Sequence, residues 1–139
     1  MPRIAAIDFG LKRIGIALSD ERKQIAFPLA TVAGGEEGVQ NVMAALAEKR
    51  KEIEQIILGL PLLLSGAKGN MALLVEKFGT DLEIAIGIPV LLLDERLSSK
   101  YADRQLREMS HNRRERTEKL DRASAAFLLQ SYLEKIKLL

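Results

Sequence analysis

Residues 3–20 read RIAAIDFGLKRIGIALSD. Two apolar runs, 3–10 and 13–20, are joined by the short Leu-Lys connection at 11–12. Runs of this length, bounded by glycine and polar residues, predict two strands in a tight hairpin. The first strand closes on an acid, Asp8, shortly before Gly10. Residues 4–7 are apolar without a break, as in a strand buried on both faces. Strand alternation places Asp8 on the face of Ile4 and Ala6. The next run, IAFPLATV at 25–32, predicts a third strand, in which Pro28 marks an edge or a bulge. Three runs so closely spaced predict an antiparallel meander.

The pattern then changes. Residues 36–50 place Val39, Val42, Met43, Leu46 and Ala47 on one helical stripe, with Lys49 and Arg50 suited to the helix C-terminus. IEQIILGLP at 53–61 predicts a buried strand stopped by Gly59 and Pro61. A loop with Gly66 and Gly69 follows. Residues 71–87 predict a helix with a weak point at Gly79. IPVLLLDE at 88–95 predicts another strand. Residues 98–109 predict a helix capped by Ser98 or Ser99, 110–116 a mobile polar stretch, and about 118–136 a last helix. The order β-β-β-α-β-α-β-α-α implies a mixed five-stranded sheet with helices on both faces and right-handed crossovers.

With 139 residues, 47% of them hydrophobic, the chain suits a single domain spanning 1–139. It has no cysteine, which rules out disulfides and thiolate metal sites. One histidine, His111, leaves little for zinc or for Ser-His-Asp chemistry. No apolar run reaches membrane-helix length, and no signal-peptide core precedes the first strand, so a cytoplasmic location is expected. The net charge of only +2 does not describe a chain coated in nucleic acid, yet its cations are clustered.

Three acids stand where chemistry is concentrated. Asp8 and Glu95 each end an apolar strand, and carboxyl ends of strands are where open α/β sheets place their sites. Asp121 lies at the head of the last helix, with Ala125 and Leu128 further along its face. Each acid alone would serve as a turn or helix cap. Together they offer the oxygen ligands that Mg²⁺ or Mn²⁺ prefers. Asp94 competes with Glu95, because the residues before the pair are apolar on both faces.

The blocks IDFGLKRIGIALSD, GLP, DERLSS and KLDRASAAFLLQSYL, in this order and spacing, resemble the YqgF family, also called RuvX. The likeness covers residues 7–133. It implies a ribonuclease H-like fold and a metal-dependent endonuclease that matures the 5′ end of pre-16S rRNA in ribosome biogenesis. The family is also described as Holliday-junction-resolvase-like, so branched DNA is the alternative substrate. A non-catalytic RNA-binding assembly factor on the same fold is a further reading. The resemblance matches Asp8, Glu95 and Asp121 to the family's acids, as catalytic residues and as ligands of Mg²⁺ or Mn²⁺, and so selects Glu95 over Asp94. One departure stands out: Leu62, Leu63 and Leu64 follow GLP where the family carries polar groups.

Basic residues accompany all three acids. Lys12 and Arg13 follow Asp8, and Arg96 and Lys100 follow Glu95. Arg113, Arg114, Arg116, Lys119 and Arg122 surround Asp121. Cations placed this way hold a phosphate backbone without reading its sequence. Aromatic residues make up only 4% of the chain, too few for base stacking to dominate. The expected partners are RNA or branched DNA and ribosomal precursor particles, with no membrane, for a monomer or homodimer.

Overall fold

The computed structural model describes residues 2–63, 65–95 and 113–137, with 113–122 as backbone alone. Five strands form one sheet in the order β3-β2-β1-β4-β5. They are β1 (Arg3–Asp8), β2 (Arg13–Ser19), β3 (Ala26–Ala33), β4 (Ile53–Leu60) and β5 (Val90–Asp94). The first three make the antiparallel meander, and β4 and β5 extend the sheet in parallel from the other side of β1. The helices are α1 (Gly38–Leu46), α2 (Asn70–Ile86) and α3 (Arg113–Lys137).

Helices cover both faces, which is why β1 and β4 are apolar almost without interruption. On one face Ala5, Ile7, Ile14, Ile16, Ile56 and Leu58 pack beneath α1 and α2. On the other, Ile4, Ala6, Ala17 and Ile57 meet Ala125, Leu128, Leu129 and Leu133 of α3. The small Ala6 and Ala17 let this helix lie close over β1, β2 and β3.

β3 is both an edge strand and a bulged one. Ile16 pairs with Ala30 but Ala17 pairs with Pro28, leaving Leu29 as the extra residue. Proline has no N–H to give a ladder, so the edge is where it is tolerated.

Four expectations change. The helix starting near residue 36 ends at Leu46 and passes into a 3₁₀ stretch, Ala47–Glu52, so Lys49 and Arg50 fall in that stretch. Gly59 does not stop β4; it pairs with Leu93 inside the ladder. Gly79 does not weaken α2, which runs through it to a left-handed cap at Gly87. A Cβ on Gly79 would lie 2.9 Å from Leu58 Cδ2, so this glycine is what lets α2 approach the sheet. The last helix begins at Arg113, and so takes in part of the polar stretch expected to be mobile. Arg, Glu and Lys are good helix formers and no Gly or Pro interrupts them there. The helix expected at 98–109 lies outside the described residues. Among the described residues no helix is long and apolar enough to cross a membrane.

Candidate active site

Asp8 is 3% exposed and Glu95 is 2% exposed, both at the carboxyl edge of the parallel strands. The sheet sets their relation. Ile7 of β1 pairs with Leu58 of β4, so one further step puts Asp8 beside Gly59. Gly59 in turn pairs with Leu93, two residues before Glu95. Ile57 and Leu93 belong to the cluster beneath α3, as do Ile4 and Ala6. Alternation therefore puts the Asp8 side chain and the Cα–H of Gly59 on the α3 face.

Glu95 lies past the end of β5 and folds back over the sheet. A Cβ built on Gly59 would collide with Glu95 Oε1 and lie 3.1 Å from its Cδ and Cγ. The Glu95 carboxylate thus occupies the place a Gly59 side chain would take. It sits on the same face as Asp8, over the neighbouring strand. Asp94 alternates with Leu93 and takes the opposite face, with Leu92, which lines a depression with Gly79 and Thr80 of α2. Geometry therefore separates two adjacent acids that the sequence left in competition.

The loop after Asp8 is fixed from two sides. The Phe9 ring packs on Phe78 of α2, with centroids 4.8 Å apart. The Gly34 N–H donates to Lys12 O at 2.9 Å. A Cβ on Gly34 would stand 2.7 Å from both Gly10 O and Leu11 O, so the close approach of these backbones needs a glycine. Lys12 is exposed and Arg13 half-buried at the start of β2.

Asp121 lies in α3, one helical turn before the buried Ala125. The helix runs from the carboxyl edge back across the sheet. Near its far end Tyr132 Oη donates to Gln55 Oε1 at 3.2 Å, and Gln55 pairs with Ile4 at the start of β1. Arg113, Arg114, Arg116, Lys119 and Arg122 lie on the same leading part of α3. Arg96 and Lys100 lie outside the described residues.

Among the described residues no group of three acidic, histidine or cysteine side chains converges. The described donors nevertheless fit a hard divalent cation. They are two buried carboxylates, oxygen ligands only, side by side, with glycines beside Asp8 on both neighbouring strands (Gly15 in β2 and Gly59 in β4). Both carboxylates already take part in polar or charged interactions with neighbours. The space left by the missing Gly59 side chain is the one the Glu95 carboxylate takes. The sequence reading missed Gly59 and Gly34. The signal for Gly59 was present, as a glycine inside a buried apolar run often marks a close approach.

The strand order, the split between antiparallel and parallel pairs and the helix across β1 define a ribonuclease H-like fold. T. thermophilus RuvC, solved with a Holliday junction substrate, superposes with a TM-score of 0.53 over 98% of this chain and 96% of its own, at 15% identity. The Fowlpox virus resolvase in complex with Holliday junction DNA gives 0.53 over 96% and 98%, also at 15%. Residues 2–135 match the family described as RuvX, Holliday junction resolvase, and the chain belongs to that family. A relative in Protochlamydia amoebophila, named for pre-16S rRNA nuclease activity, is 45% identical over 95% of this chain and 93% of its own.

Proposed function

We propose that this chain is a metal-dependent endonuclease that hydrolyses phosphodiesters in pre-16S rRNA, maturing its 5′ end in the cytoplasm on ribosomal precursor particles. The observation that carries the reading is the placement of the Asp8 and Glu95 carboxylates on one face, separated only by Gly59. The choice of RNA follows the relative from Protochlamydia amoebophila, which aligns over nearly its full length.

Asp8, Glu95 and Asp121 would hold Mg²⁺ or Mn²⁺. Such an ion supplies an activated water and charge stabilisation for the leaving oxygen. The protein's part is positional. Asp8 is fixed by the ladder between β2 and β4, and Glu95 by its seat over Gly59. Asp121 would arrive from α3, which closes the face and limits water. Lys12 and Arg13, on the braced hairpin, would hold phosphates on one side, with Arg96 and Lys100. Arg113, Arg114, Arg116, Lys119 and Arg122 would hold the backbone along α3. These contacts orient the substrate without reading its bases.

Branched DNA is the second reading, favoured by the family's description as a Holliday junction resolvase. The test is direct. Purified protein with Mg²⁺ or Mn²⁺ is given a precursor 16S fragment and, separately, a four-way junction, with Asp8→Asn as the control. Site-specific cleavage of the RNA, lost in the variant, is expected. Cleavage of the junction alone would move the assignment to DNA, and cleavage of neither would leave a binding protein.

A further inference from the structure

We infer that Gly59 is a positioning residue for the metal pair, and that its missing side chain is what sets the Glu95 carboxylate beside Asp8. This rests on the nuclease reading and concerns how the same site is built.

Crowding at Gly59 sets the constraint. A Cβ on Gly59 would overlap Glu95 Oε1 and press on Cδ and Cγ, both at 3.1 Å. A surface glutamate would swing aside at little cost. Glu95 is 2% exposed, so its carboxylate has no open solvent to swing into. Gly59 is also an interior residue of β4, paired with Leu93, so its backbone is held by the ladder. Glycine at such a position weakens a strand, because it loses more backbone freedom on folding than alanine does. Nothing about the backbone calls for it, because Gly59 is not among the glycines with positive φ, which are Gly35, Gly66 and Gly87. The residue is explained by the space it leaves, and that space is filled by a carboxylate.

The consequence is specific. Gly59→Ala keeps every carboxylate and leaves the core cluster beneath α3 intact, but moves Glu95 away from Asp8. Groups that orient a metal ligand, when lost, cost about 10–100-fold in affinity. The same substitution should cost little once the glutamate is shortened or removed.

The experiment is a double-mutant cycle on the full chain, read by Mn²⁺ titration and by thermal unfolding without metal. Gly59→Ala should weaken Mn²⁺ binding about tenfold or more in the parent, and by a clearly smaller factor in a Glu95→Asp background. Without metal, Gly59→Ala should lower Tm in the parent and leave it level or raised in a Glu95→Ala background. Equal effects in both backgrounds would overturn the inference. So would unchanged Mn²⁺ affinity in Gly59→Ala alongside normal binding by the parent. A parent that binds no Mn²⁺ would overturn the nuclease reading, and the positioning role with it. The metal-free unfolding cycle would then still report whether Glu95 is seated on Gly59.

Discussion

Asp8 and Glu95 lie on the same face of the sheet, separated by one strand and by a residue with no side chain. A divalent cation on this face would take charged oxygen ligands from both. Replacing either with its amide removes a charged oxygen ligand while keeping its shape. Asp8→Asn and Glu95→Gln should each bring RNA cleavage down to background while circular dichroism stays that of the parent. An amide variant with full activity would remove that acid from the site.

The leading part of α3 carries a second prediction. If Arg113, Arg114 and Arg116 neutralise phosphates, each contact releases condensed counterions. For a single strand, log K then falls with log[salt] by about 0.7 per contact. Replacing all three with alanine should flatten the slope by about 2 and weaken all sequences alike. Mn²⁺ affinity should not change. An unchanged salt slope would make these arginines a solvated helix face.

Much of this arrangement was legible in the sequence, for physical reasons that can be named. Alternation along residues 4–8 put Asp8 with Ile4 and Ala6, and those residues do pack beneath α3. Pro28 announced an edge or bulge because it lacks an N–H, and β3 is both. The choice between Asp94 and Glu95 was not legible from the residues alone, because the run before them is apolar on both faces; only the resemblance favoured Glu95. Gly59 was read as punctuation, since a glycine before Leu60 and Pro61 looks like a strand end. Only the side chain folded over it reveals its use. Arg113 as a helix start was hidden for another reason: a polar helix with no apolar stripe in its first turns carries no periodic signal.

The anchor of α3 gives a third prediction. Leu128 is fully buried between the helix and Ile4, Ala6, Ala17 and Ile57. Leu128→Ala should destabilise the protein by about 2–5 kcal/mol. Loss of cleavage should track the unfolded fraction, as measured by denaturant titration beside activity. A stable variant without activity would show that Leu128 acts on the site and not on the fold.

The turn between β2 and β3 gives a prediction in pH. Asp20 Oδ1 accepts the N–H of Gln24 at 2.7 Å and of Ile25 at 3.0 Å. These backbone donors, that of Ile25 foremost, hold the carboxyl below its ordinary value of 3.8. A lowered folded-state value means that the unfolded chain binds the proton more readily. The contribution is therefore present above about pH 4 and is lost as pH falls through the folded value. Tm measured from pH 5 downward should fall less steeply for Asp20→Asn than for the parent. Parallel curves would show that Asp20 does not contribute to acid unfolding.

The reading stands most directly on where a divalent ion binds. Crystals of the protein soaked in Mn²⁺ and measured at a wavelength with anomalous signal from manganese locate the ion without reference to activity. The expected result is a peak on the α3 face beside Gly59, within about 2.0–2.3 Å of carboxylate oxygens from both Asp8 and Glu95. Well-occupied manganese elsewhere on the molecule, with none between these two acids, would contradict it.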